Sequence, residues 1–251
     1  MGMVREQSAP TAVSLFTGAG GLDIGFQRAG YDIRLAIELD SNCVKTLCVN
    51  GFKNVWQADI SNERLVTPRR ILKECDLRVG ELDVVFGGPP CQPFSTTGRR
   101  KGLRAADGQL VRHFCRLVRG LRPRVFVFEN VPGIFNSPMR GVLKLIELEL
   151  GRGGVMGHRG YDMSRGLLNA AAFGVPQMRE RAFIVGWQAP GTFYFPRGTH
   201  FLPGMRQEDG LRRFATVAEA FDGLPSPEKP SHLAKRVAAT IAERNRRWHG
   251  K

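Results

Sequence analysis

The run Ala12-Val13-Ser14-Leu15-Phe16-Thr17-Gly18-Ala19-Gly20-Gly21 decides the fold. Its first five residues have the character of a buried strand, a glycine turn follows, and a helical stretch continues to Arg28. Glycines at such a turn let backbone approach a ligand at a helix N-terminus, where unpaired N–H groups point outward. The same alternation recurs downstream. Residues 33–37 read as a second strand and 41–49 as a helix; 55–57 is a weak third strand. Residues 83–86 form a stronger one, closed by Gly87-Gly88-Pro89-Pro90. A helix over 109–119 leads to the strongly β run 125–128, then comes a helix over 140–150 and a strand at 181–185. Strands alternating with helices predict an α/β fold, a doubly wound and mostly parallel sheet with ligands at the carboxyl ends of its strands.

A chain of 251 residues suits one large domain, or one with an appendage. At 42% hydrophobic and 24% charged it is neither disordered nor fibrous in composition. No apolar run reaches membrane-spanning length and residues 1–10 lack an apolar signal core, so a cytoplasmic or nucleoid-associated protein with no membrane partner is expected. Five cysteines, an odd number with no CxxC pair, argue against a disulfide framework and against a metal site. The net charge is +14, and it is clustered. Arg99, Arg100, Lys101, Arg104, Arg112, Arg116, Arg119, Arg122 and Arg124 stand against Asp107, and residues 231–251 oppose Glu243 with six more cations. Clustering points to a polyanion, although a solvated helix face would look the same.

Four motifs carry chemistry. Beyond the glycine turn, Glu38 lies just past the second strand, where a carboxylate can accept ribose hydroxyls, and Asp59 follows the third. Gly87 to Ser95 places Cys91 after two prolines, on a loop at a strand's carboxyl end and ahead of the basic run, where positive potential favours the thiolate. Cys43, Cys48, Cys75 and Cys115 sit in contexts that suit small buried hydrophobes. Glu129-Asn130-Val131 ends another strand; a carboxyl partly desolvated among Phe126, Phe128 and Pro132 could stay protonated and act as an acid. Finally, Gln177, Arg179 and Arg181 alternate, so a strand would point them together, at phosphate, base or solvent.

Phe16-x-Gly18-x-Gly20-Gly21, Pro89-Pro90-Cys91-Gln92, Glu129-Asn130-Val131 and Gln177-x-Arg179-x-Arg181, in this order, resemble the DNA (cytosine-5) methyltransferase family over roughly residues 12–225. The resemblance implies the Rossmann-like fold of S-adenosylmethionine-dependent methyltransferases, with that cofactor and no metal. Phe16 would stack on adenine, Glu38 hold the ribose, and Asp59 with Ile60 read the adenine edge, while Gly18, Gly20, Gly21 and Pro89 complete the pocket. Cys91 would add to C6 of a flipped cytosine while Glu129 serves N3, Arg181 the base carbonyl and Arg179 a phosphate or a neighbouring loop. Ser95, Arg99, Arg100, Lys101 and Arg104, with Gln177, would contact double-stranded DNA, the first five within a loop that closes over it.

Family members continue into a target-recognition region, an arginine-rich helix and a final Gly-Asn-Ala-Val block, none of which is found here. The expectation is a catalytic core over 1–225, then a linker and basic terminal helix over 226–251 that docks a second chain supplying recognition. Leu233, Val237 and Ile241 recur there at helical spacing. A truncated, inactive DNA-binding relic is the alternative. RNA methylation ranks lower, because the signature of the family's tRNA-acting branch is not seen after Asp59.

Overall fold

The structure is a computed structural model that describes residues 8–90, 107–136, 140–202 and 210–224. Its elements are β1 (Thr11–Leu15), α1 (Gly21–Arg28), β2 (Asp32–Glu38), α2 (Ser41–Val49), β3 (Val55–Gln57), α3 (Pro68–Glu74), β4 (Val84–Gly87), α4 (Asp107–Leu121) and β5 (Val125–Asn130). Then come α5 (Arg140–Leu150), β6 (Asp162–Asn169), β7 (Glu180–Trp187), the short pair β8 (His200–Phe201) and β9 (Arg212–Arg213), and α6 (Val217–Phe221). Seven strands form one sheet in the order β3-β2-β1-β4-β5-β7-β6. The first five are mutually parallel, and β7 runs antiparallel to both β5 and β6. Strand order reverses between β1 and β4, which opens a crevice at their carboxyl ends, the place where such sheets bind ligands.

Both faces of the sheet are covered, which is why its central strands read as continuous apolar runs. Val13, Leu15, Leu35, Ile37, Val85, Phe126 and Phe128 pack with Ile71 and Leu72 of α3, Phe114 and Leu117 of α4, and Ile146 of α5. On the opposite face Ala12, Val84 and Phe86 meet Leu22 and Phe26 of α1. The Phe26 and Phe86 rings stack 4.0 Å apart. Helix starts follow their capping residues. Asp40 accepts from the N–H groups of Asn42 and Cys43 ahead of α2, and Thr67 precedes Pro68 at the start of α3. Thr216 and Glu219 close a reciprocal capping box on α6.

The doubly wound, mostly parallel sheet agrees with the expectation, and each expected strand and helix within the described residues is present within a few positions. Two features depart from it. The pattern missed α3, β6 and the short β8 and β9, and Gln177 and Arg179 precede β7 rather than sharing a face within it. The expected linker and terminal helix over 226–251 lie outside the described residues.

Candidate active site

The glycine turn is positioned by backbone geometry that few side chains tolerate. Phe16 leaves β1 at φ 54°, and Gly20 caps α1 at φ 87°. A Cβ on Gly20 would lie 2.7 Å from the Leu47 side chain, so only glycine fits between α1 and α2. Glu38, the last residue of β2, fastens this turn: one carboxylate oxygen accepts from Gly18 N–H at 2.7 Å, the other from Leu39 and Asp40 N–H at 2.8 Å each. Asp59 accepts from Ser61 N–H at 2.8 Å, and its bonds to the Ser61 hydroxyl and N–H hold its carboxyl below the usual range. Phe16, Glu38, Asp59 and Ile60, with Gln57 and Leu110, line a cavity of about 540 Å³ at the carboxyl ends of β1, β2 and β3. The residues predicted separately along the chain therefore converge on one concavity.

A second cavity, about 1150 Å³, adjoins it across Phe16 and Gly88 and is lined by Thr17, Asp23, Glu129, Arg179 and Arg181. Alternation along β5 explains who faces it. Val125 and Val127 cover the α1 side, and Glu129 continues that face at the strand's end. Asn130 turns the other way and is buried; its Nδ2 donates to Pro89 O at 3.1 Å, tying the turn before Cys91 to β5. Arg181 on β7 points its Nε at Glu129 Oε1, 3.0 Å away. Burial raises the Glu129 carboxyl above its ordinary pKa, against the opposing charges of Arg181 and Arg179. Gly88 permits this arrangement, since a Cβ there would lie 2.6 Å from Glu129 Oε2.

Comparison with known proteins supplies the family. The model of the C-5 cytosine-specific DNA methylase matches residues 11–206. The chain belongs to that family. It is 41% identical over 242 residues to the Type II methyltransferase M.AquIA of Picosynechococcus, covering 92% of this chain and 96% of the relative. It is 38% identical to M.XorII of Xanthomonas oryzae, covering 90% of this chain but 49% of that one. Among solved structures, a candidate DNA modification methyltransferase encoded within a prophage (E. coli) superposes with a TM-score of 0.66 at 30% identity, over 87% of this chain and 56% of that chain. The chain thus spans nearly all of the first relative and about half of the second.

Within this methylase fold, Cys91, Ser95, Arg99, Arg100, Lys101 and Arg104 lie outside the described residues. The rest of the basic run does not face the cavities as one surface, which corrects the expectation of a single DNA-facing cluster. Arg112 and Arg119 pair with Glu149, and Arg116 with Glu63. Arg122 and Arg124 stand where α4 ends and β5 begins, at the amino edge of the sheet, with Arg124 paired to Asp83. Sequence reasoning gave no role of its own to Asp23 or Asn130, and counted Arg116 only among the clustered cations. The asparagine had a visible signal, its place at a strand end beside Glu129; a buried acid in the first turn of α1 and an arginine among many had none. No group of metal-ligating side chains and no membrane-spanning helix occurs among the described residues.

Proposed function

We propose that this chain is the catalytic subunit of a DNA cytosine-5 methyltransferase of the Type II kind, drawing on S-adenosylmethionine and completed by a second chain that selects the site. The observation that carries the reading is the adjacency of the two cavities across the β1/β4 switch point. One presents an aromatic ring with the carboxylates of Glu38 and Asp59, besides the helix-capping Asp40, and the other a raised carboxyl paired to arginine. The first cavity fits the cofactor's chemistry. Phe16 offers a face for adenine, Glu38 keeps one acceptor site free on Oε2 for a ribose hydroxyl beyond its three backbone bonds, and Asp59 with Ile60 borders the adenine edge. When bound, S-adenosylmethionine supplies an electrophilic methyl group on sulfonium.

Cytosine C5 is a weak nucleophile until an enzyme group adds at C6, and that is the role of the Cys91 thiolate. Glu129 holds a proton at N3, which its burial favours, so negative charge on the ring is neutralised as the sulfur–carbon bond forms. Arg181 braces Glu129 and reaches the base carbonyl, while Arg179 serves the flanking backbone. Both ring faces are engaged, so the base must leave the duplex. Loss of the C5 proton and release of Cys91 end the cycle. Participation of a second chain draws on the lengths of the relatives: most matched methyltransferases are far longer, whereas the Picosynechococcus one has nearly the same span.

The test is methyl transfer to duplex DNA by the chain alone and with a second chain that carries the target-recognition region. Transfer is expected only from the pair, and Cys91→Ser should abolish it. Robust transfer by the chain alone would remove the second chain, and none from the pair would leave the inactive DNA-binding relic.

A further inference from the structure

Residues 58–67 connect β3 to α3, and Ala58, Asp59 and Ile60 at its start form one wall of the 540 Å³ cavity. Part of this connection holds itself: Asn62 N–H donates to Asp59 O at 3.0 Å, and Val66 N–H donates to Asn62 O at 2.8 Å. The carbonyls of Ile60 and Val66 have no such backbone donor among the described residues. Arg116, on α4, meets both. One terminal nitrogen donates to Ile60 O and the other to Val66 O, each at 3.1 Å. Its Nε lies 3.3 Å from Glu63 Oε1, which also faces His113 Nδ1 at 3.2 Å. The side chain is only 20% exposed, so these contacts stand largely out of water. The same helix, two turns earlier, contributes Leu110 to the cavity.

We infer that Arg116 is a positioning residue that sets adenine selectivity by clamping the Asp59–Ile60 wall to α4. The inference rests on the cofactor reading above. A planar guanidinium can donate to two diverging carbonyls while pairing a third group; an ammonium can replace the charge but not the fork. A wall that accepts from the exocyclic amino group of adenine rejects hypoxanthine, which carries a carbonyl there, because buried polar groups are then left unpaired. That rejection requires the wall to be held in register. Released from Arg116, Asp59 and Ile60 can shift to accommodate either base.

The experiment is calorimetric titration of the full chain with S-adenosylhomocysteine and with its inosine counterpart, for the wild type, Arg116→Met and Arg116→Lys. The wild type should prefer the adenine compound. Arg116→Met should bind it about tenfold more weakly, with the preference falling toward one; Arg116→Lys should lie between. A merely structural role would weaken both ligands alike and leave the ratio intact. Unchanged affinity and ratio in folded Arg116→Met overturn the inference, and if that variant does not fold, an unchanged ratio in Arg116→Lys does so. Failure of the wild type to bind S-adenosylhomocysteine at all overturns the cofactor reading instead, and the inference with it.

Discussion

Asp23 lies in the first turn of α1, wholly buried, and neither carboxyl oxygen has a hydrogen-bond partner. Burial pushes its pKa up to about 6, although the nearby Ser14 hydroxyl and the residue's own N–H offset part of the shift. Its ordinary value is 3.8, so the folded chain binds this proton more tightly than the unfolded one. Its ionisation therefore costs no stability below about pH 4, costs progressively more up to about pH 6, and a constant amount above. Asp23→Asn, neutral at every pH, should gain on the wild type by about 3 kcal/mol between pH 4 and pH 7.5. In urea unfolding the gain should shrink as pH falls toward 4; equal gains at both values would refute it. Glu129 is also raised, but by incomplete burial and against two arginines. In the proposed mechanism its protonated form is the useful one, so methyl transfer should decline as pH rises through that elevated pKa. Glu129→Gln should lower turnover by about 10²–10⁴-fold and remove that limb of the pH profile.

At the scale of elements, the same substitution should act in opposite directions at two glycines. Gly186 in β7 stands opposite Phe126, and a Cβ there would fall 2.0 Å from that ring, inside the core. Gly186→Ala should cost about 1–3 kcal/mol through overpacking. Gly25 within α1 has open space around it, so Gly25→Ala should stabilise by about 0.5–1 kcal/mol. Urea midpoints that moved in one direction for both would contradict this account. Such pairs also explain what could be read from the sequence. The five parallel strands were legible because burial on both faces demands unbroken apolar runs such as Val84-Val85-Phe86. β6 was not, because Asp162, Ser164, Arg165 and Gly166 give it no apolar period, and it is held as an edge strand by β7 and by the Phe195 ring over Gly166. The glycine turn, Glu38, Asp59 and Glu129 were legible because each stands at or just past the carboxyl end of a strand, and a parallel sheet collects such positions on one edge. The clamp by Arg116 was not, since it depends on how α4 crosses a loop some fifty residues earlier.

At the scale of the molecule, the fold divides a charge that the sequence presents as one block. α4 runs back across the sheet from the carboxyl edge to the amino edge, carrying its arginines away from the cavities as it goes. Arg112 and Arg119 share Glu149 and Arg116 pairs with Glu63 on the way, so two of the three charges are offset. Arg124 finishes paired to Asp83 just before β5, roughly 16 Å from Glu129 by the rise of five strand residues, and Arg122 lies further back still. Under the proposed function a duplex seated at Glu129 and Arg181 would draw its phosphate contacts from elsewhere, and Arg99, Arg100, Lys101 and Arg104, eight to thirteen residues after Cys91 in the chain, are the candidates in that block. Each phosphate contact removed should flatten the dependence of log K on log salt by about 0.9. Replacing Arg99, Arg100, Lys101 and Arg104 by Gln should reduce that slope by several times this amount and weaken binding across DNA sequences alike. The Arg122→Gln, Arg124→Gln double variant, of smaller charge change but within the same sequence block, should leave the slope unchanged in a fluorescence anisotropy titration. Equal slope changes per charge from the two sets would mean that DNA reads the net charge of the chain rather than one edge of its sheet.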